Sequence, residues 1–109
     1  MSQPGLHTYP EITTQCASWQ CALEATAAQQ DALRGEVASA TADGLLFIGC
    51  GSTHYLAQFA APFVQEQTGM PCRAAPSSEL ALQTETILTA GLHPLVVALS
   101  RSGETSETI

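Results

Sequence analysis

The sequence predicts an α/β fold, in which an open parallel sheet follows one or two N-terminal helices. Two short apolar runs, at residues 45–48 and 95–99, have the length and composition of strands that are buried on both faces of a sheet. Each run leads directly into a turn rich in glycine or hydroxyl residues, and a helical pattern follows each turn. This alternation of strand, turn and helix is typical of a parallel sheet with helical crossovers.

The N-terminal segment, residues 9–41, is rich in Ala, Gln and Leu. Pro10 and Glu11 suit a first helical turn, because proline needs no N–H there and glutamate complements the helix dipole. Apolar residues then recur at helical spacing. We interpret the segment as one long helix, or as two helices with a break between Leu23 and Ala28. Such a helix is typically a packing or dimer contact, and no residue in it suggests chemistry.

Further elements follow from residue 43 onwards. A helical pattern covers residues 54–68 and ends at Gly69, a second strand covers residues 70–75, and another helix starts near residue 77 with Ser77 or Ser78 as its N-cap. A turn at residues 91–94 precedes the third strand, and a helix begins after Thr105. We therefore expect a helical segment at 1–42 and an α/β domain at 43–109. Three strands are few for a buried parallel sheet, so we expect a fragment of a longer chain.

Composition limits the classes of partner. The net charge is −7 with a pI near 4.6, and Arg34, Arg73 and Arg101 are the only fixed positive charges. No basic stripe is available to neutralise nucleic acid, and the acidic field would repel an anionic membrane. We therefore expect neither partner. An anionic ligand would have to be bound mainly by local dipoles.

The N-terminus lacks the basic and apolar regions of a signal peptide, and no apolar run is long enough to span a bilayer. The four cysteines, which follow no zinc or redox spacing, are interpreted as small buried residues in a reducing compartment. We expect a cytoplasmic protein without a metal ion or cofactor.

The first of two informative turns is the run Gly49-Cys50-Gly51-Ser52-Thr53. It contains G-x-G but lacks the third glycine of a dinucleotide fingerprint and the lysine of a P-loop. Its glycines could allow close packing of strand and helix, and Ser52 or Thr53 could simply cap the helix. Alone, this turn leaves packing and ligand binding equally open.

The second turn has four hydroxyl residues within seven positions, at Ser100, Ser102, Thr105 and Ser106. Hydroxyls and backbone N–H groups at a helix N-terminus can bind a phosphate dianion without lysine. The alternative is a hydroxyl-stabilised turn with a helix cap, but a cap needs fewer hydroxyls. Arg101 could add positive charge, or it could pair with a neighbouring glutamate. The pattern favours a phosphate site.

The sequence Ser100-Arg101-Ser102-Gly103-Glu104-Thr105, preceded by an apolar strand, resembles the S-x-S-G-E-T signature of the SIS (sugar isomerase) family. The first turn, and the stretch PSSEL at residues 76–80, are similar to the isomerase half of glucosamine-6-phosphate synthase. The resemblance covers residues 44–109. It implies a three-layer, flavodoxin-like SIS domain. The sugar-phosphate ligands that it implies are Gly51, Ser52, Thr53, Ser100, Arg101, Ser102 and Thr105.

By this resemblance the chain is part of a phosphosugar isomerase, or of an amino-sugar-phosphate deaminase or aminotransferase. The ligand would be of the fructose-6-phosphate or glucosamine-6-phosphate type, and the protein a homodimer. Ser2 stands where the synthase has its cysteine nucleophile, so stand-alone double-SIS ketose/aldose isomerases or deaminases fit better. The family's catalytic Glu, His and Lys come from later segments, so the catalytic residues stay unassigned. The alternatives are a phosphosugar-sensing regulator and a purely structural dimerisation module.

Other candidate residues carry weaker signals. His54 follows the first turn and could donate to a sugar oxygen or assist ring opening. Glu66 and Glu79 are expected near the carboxyl edge of the sheet, where either could act as a base, although Glu66 is more typical of solvated surface. His93 is expected in a loop and His7 in a tail.

Overall fold

A computed structural model of the protein describes residues 4–40 and 43–109. The chain divides into two compact units, Met1–Glu36 and Val37–Ile109, each considered by itself below. Three parts of the prediction lie outside the described residues: the helix end at Thr41, the domain boundary after residue 42, and the first three residues of the expected helical segment.

Three helices make up the N-terminal part of the chain. They are α1 (Thr8–Thr13), α2 (Gln15–Ala28) and α3 (Gln30–Ala40). None of them contains a buried residue. Two breaks separate them, at Thr14 and at Gln29. The predicted break between Leu23 and Ala28 is therefore wrong in position, because alanine-rich α2 continues through Ala28 before the backbone opens.

The second unit is built on a three-stranded parallel sheet. Its strands are β1 (Leu45–Gly49), β2 (Cys72–Pro76) and β3 (Leu95–Leu99), in the order β2-β1-β3. Its helices are α4 (Ser52–Thr68), α5 (Ser77–Leu82) and α6 (Thr84–Ile87). Within the described chain, no helix combines the length and apolar character needed to cross a bilayer.

Strand β1 organises the core because both of its faces are covered. Leu45 and Phe47 pack against Ala57 and Ala61 of α4. The alternate residues of β1 point the other way, and Ile48 packs with Ile87 of α6. Helix, sheet and helices thus form the three layers of an α/β fold, which confirms the predicted fold class.

The edge strands differ from the prediction in two details. In β3 the residues alternate between half-buried and exposed, so it is not the doubly buried strand that its apolar run suggested. The reason is that α5 and α6 pack against β1 and β2, which leaves Val96 exposed on that face of β3. The second strand begins at Cys72 rather than Met70, because Pro71 precedes it without an N–H for a ladder bond.

The start of α5 also differs from the prediction. Its N-cap is Pro76, with no side-chain capping bond, and Ser77 is the first helical residue. Ser77 therefore does not cap the helix. It is fully buried, and its hydroxyl oxygen accepts a hydrogen bond from the Thr108 hydroxyl. After Thr105 the chain makes one helical turn, in which the Ile109 N–H donates to the Thr105 carbonyl oxygen at 3.1 Å.

The strand order defines where a ligand would be expected. From β1 the chain passes to β2 on one side of the sheet, and β3 then adds on the opposite side of β1. This order matches the first three strands of the flavodoxin-like arrangement, whose ligands bind where the order reverses. The reversal lies between β1 and β3, at the carboxyl edge of the sheet.

The approach of α4 to the end of β1 depends on Gly49. A β-carbon placed there would lie 2.5 Å from the carbonyl carbon and oxygen of Thr53, closer than real β-carbons come to backbone. Gly51 meets a different constraint, because its φ of 60° and ψ of −122° suit glycine and disfavour other residues. The two glycines therefore hold the first turn tight against the strand.

Replacing Gly49 with alanine should destabilise the sheet unit by about 1–3 kcal/mol, because backbone must move to admit the methyl group. Urea denaturation followed by circular dichroism measures the effect. Gly35→Ala is the matched control, since a β-carbon at Gly35 in α3 meets no atom within 4 Å outside the backbone of its own helix. Equal stability of Gly49→Ala and the wild type would contradict the packing argument.

Candidate functional site

The two turns singled out in the sequence meet in one open cleft of about 350 Å³. Parallel pairing of β1 with β3 sets Gly49 beside Leu99, so the next residue of each chain segment begins a turn at the same edge. The first turn contributes Cys50, Ser52 and Thr53, and the second contributes Ser100, Arg101, Ser102 and Thr105.

In the first turn, α4 begins at Ser52 and directs its N-terminus toward the cleft. The amides of Ser52 and Thr53 have no preceding helical carbonyl to bind, so they attract negative charge, whereas the His54 amide donates to the Gly51 carbonyl oxygen at 3.1 Å. The Thr53 hydroxyl is already engaged, because it accepts from the Cys50 amide at 2.9 Å and donates to the Cys50 carbonyl at 2.9 Å. Thr53 therefore closes the turn, and Ser52 presents the exposed hydroxyl.

In the second turn, two serine hydroxyls accept backbone hydrogen bonds. Ser100 Oγ accepts from the Gly103 amide at 2.9 Å, and Ser102 Oγ accepts from the Glu104 amide at 3.2 Å. Gly103 has a φ of 73°, a left-handed conformation that favours glycine. Since each hydroxyl uses a lone pair in these bonds, its hydrogen stays available to a ligand. The turn is thus a hydroxyl-stabilised turn that can still donate outward.

The charge of the cleft comes from Arg101. Its side chain is exposed and, within the described chain, forms no ion pair with Glu104 or Glu107. The predicted alternative of a neighbouring glutamate partner is therefore not seen. The cleft lining combines one guanidinium, several hydroxyls and a helix N-terminus, and it contains no carboxylate. This set of groups is suited to binding an anion.

Six of the seven residues predicted from the sequence line the cleft, and their binding role stays a prediction. Gly51 does not line it; its backbone conformation shapes the turn instead. The sequence reasoning missed Cys50, which lines the cleft and is exposed. Its position immediately after β1, as the first turn residue, was the available signal.

The other candidate residues do not line the cleft. His54 Nδ1 is buried, and no partner for it is found in the described part of the chain. Glu66 is exposed, as its surface alternative predicted, and its expected place near the carboxyl edge is wrong because α4 starts at that edge and runs away from it. Glu66 comes fourteen residues after Ser52, which corresponds to about 21 Å along a helix. Glu79 is exposed in the first turn of α5.

His93 lies in a loop, as predicted, and its amide donates to Asp43 Oδ2 at 2.7 Å. His7 is the N-cap residue of α1 rather than part of a tail. Among residues 4–40 and 43–109, no group of three or more His, Cys, Asp or Glu side chains is placed to hold a metal ion.

The cysteines differ in exposure. Cys16, Cys21 and Cys50 are exposed, contrary to the expectation of buried cysteines, and Cys72 is half-buried. Burial raises the pKa of the Cys72 thiol. That thiol also donates a hydrogen bond to the Met70 carbonyl oxygen at 3.3 Å, which favours the protonated form.

Comparison with solved structures identifies the fold. Tagatose-6-phosphate ketose/aldose isomerase from Escherichia coli matches 91% of this chain with a TM-score of 0.82 and 22% sequence identity. The chain has the fold of the matching part of that isomerase. It spans 28% of the length of that isomerase chain, and at this identity the likeness concerns the fold alone. No family model matches the sequence, and no curated protein matches it.

We predict that iodoacetamide at pH 8 alkylates Cys50 faster than Cys72. The raised pKa leaves less thiolate at Cys72, and burial restricts access to it, whereas Cys50 is open to solvent in the cleft. Peptide mass spectrometry over a time course measures both rates, with exposed Cys16 as the internal control. Equal rates at Cys50 and Cys72 would contradict the described difference in environment.

Proposed function

We propose that the cleft binds the phosphate group of a sugar phosphate, and that the protein is a phosphosugar isomerase. The observation that supports this most is the meeting of two hydroxyl-bearing turns at the carboxyl ends of β1 and β3. Ligands of open α/β sheets bind at this position. The structural neighbour acts on tagatose 6-phosphate as a ketose/aldose isomerase, which supports the same substrate class here.

The proposed binding mode uses donors from both turns. Ser52, Ser100 and Ser102 donate hydroxyl hydrogens to phosphate oxygens, while amides at the start of α4 add partial positive charge. Thr105, half-buried at the far end of the second turn, provides a further hydroxyl. Arg101 supplies the full positive charge in the cleft lining. A protein with a net charge of −7 can hold a dianion in this way, because the attraction is local and directional.

Gly51 and Thr53 have a supporting role in this proposal. Gly51 provides the backbone conformation that turns the chain from β1 into α4. The Thr53 hydroxyl keeps its bonds to Cys50 and so fixes the same turn. Both residues therefore position the Ser52 hydroxyl and the neighbouring amides.

Isomerisation also needs a base that moves a proton between C1 and C2 of the open-chain sugar. The cleft lining contains neither carboxylate nor histidine, so the described residues supply anchoring. We assign no catalytic base. The deaminase and aminotransferase variants need the same anchor, and among the three the neighbour's activity favours the isomerase. A homodimer and a cytoplasmic location stay predictions.

A phosphosugar-sensing regulator is the second candidate. A sensor needs a phosphate anchor without turnover, and the hydroxyl-rich cleft lining offers groups for such an anchor. Both candidates predict sugar-phosphate binding. They differ in whether fructose 6-phosphate is converted to an aldose phosphate, which a coupled assay measures.

We predict that Ser102→Ala weakens the binding of fructose 6-phosphate or glucosamine 6-phosphate by about 10- to 100-fold. The basis is that hydrogen bonds to charged groups contribute about 1.5–3 kcal/mol. Isothermal titration calorimetry on the wild type and the variant measures this change, and the thermal shift at a fixed concentration of either ligand should be smaller in the variant.

Ser106→Ala is the matched control for this prediction. Ser106 lies in the same segment, but its hydroxyl donates to Glu107 Oε2 and does not line the cleft. Binding should therefore be unchanged in this variant. Unchanged binding in Ser102→Ala would remove Ser102 from the site, and no binding by the wild type would remove the proposed function.

A further inference from the structure

We infer that Ser77 is a positioning residue for the second turn of the cleft, and that it acts through Thr108. This inference rests on the proposed sugar-phosphate site. It adds to that site a residue, Ser77, that does not line the cleft. Ser77 is the first residue of α5, and α5 follows β2 on the opposite side of β1 from β3. A contact between Ser77 and the second turn therefore joins two otherwise separate parts of the sheet edge.

The contact is a hydrogen bond between two hydroxyls. Thr108 Oγ1 donates to Ser77 Oγ at 3.0 Å. Ser77 is 0% exposed and Thr108 is half-buried, so bulk water has little access to replace either partner. In contrast, Ser100 and Ser102 bond to amides of their own turn, and Ser106 bonds to Glu107. The Thr108 bond leaves the segment and fixes it to α5.

Backbone bonds transmit this attachment to the cleft. The amides of Thr108 and Ile109 donate to the Thr105 carbonyl oxygen at 2.9 and 3.1 Å. Thr105 is a lining residue of the cleft, three positions before Thr108. Attaching Thr108 to buried Ser77 therefore fixes Thr105 at the C-terminal end of the turn, while the pairing of β3 with β1 fixes the N-terminal end at Leu99.

Fixing both ends matters because the Ser100–Gly103 and Ser102–Glu104 hydrogen bonds stay within the turn and do not attach it to the rest of the domain. Residues 100–104 are exposed, and Gly103 gives the backbone additional freedom. A turn that is ordered before the ligand arrives loses less conformational entropy on binding. Loss of the Ser77–Thr108 bond should therefore weaken ligand binding without removing a ligand contact.

The test measures the affinity for fructose 6-phosphate in Thr108→Val, Ser77→Ala and the double variant. Each single change should weaken binding about fivefold, and the double variant should be no weaker than the worse single variant, since both remove the same bond. Thr108→Ser keeps the hydroxyl and should restore wild-type affinity. Ser78→Ala, a neighbouring half-buried serine, is the matched control and should bind like the wild type.

Amide hydrogen exchange tests the positioning separately from the ligand. In Thr108→Val without ligand, exchange at the Gly103 and Glu104 amides should be faster than in the wild type, while Ser78→Ala should leave it unchanged. If the wild type binds no sugar phosphate, the proposed function fails, and the exchange rates still decide whether Ser77 orders the turn. If affinity and exchange in Thr108→Val both equal the wild-type values, or if Thr108→Ser fails to restore them, the inference is wrong.

Discussion

The parallel pairing of β1 with β3 sets Gly49 beside Leu99, and both strands end at that level. The two turns that follow then begin side by side, and their hydroxyls face one cleft. Without the close approach of α4 that Gly49 allows, the helix N-terminus would lie farther from this edge. The candidate site is thus a consequence of strand register together with one position where a side chain cannot fit.

A strongly acidic protein can bind an anion when the attraction is arranged over a few ångströms. In the proposed binding mode, hydroxyl hydrogens, the amides at the start of α4 and Arg101 act at contact distance, where direction matters more than net charge. Charges elsewhere on the surface are screened over about 10 Å at ordinary ionic strength. With only three basic residues in the chain, the proposed site would have to bind its anion mainly through local dipoles.

Much of the fold and of the site could be predicted because local patterns determine them. Apolar runs specified β1 and β3, and the hydroxyl-rich turn around Ser102 was recognisable from its residues alone. The helix break at Gln29 was harder to place, because residues of an alanine-rich segment differ little in helix propensity. The role of Ser77 could not be predicted, because its partner Thr108 is thirty-one residues away and meets it only in the folded chain.

Nuclear magnetic resonance titration of the amides in both turns tests the central claim most directly. Fructose 6-phosphate should shift the amide signals of Ser52, Ser102 and Gly103 in a saturable manner, whereas fructose at the same concentrations should leave them in place. This difference would show that both turns respond to the phosphate group. Absence of shifts with fructose 6-phosphate, or equal shifts with fructose, would contradict a phosphate site at this edge of the sheet.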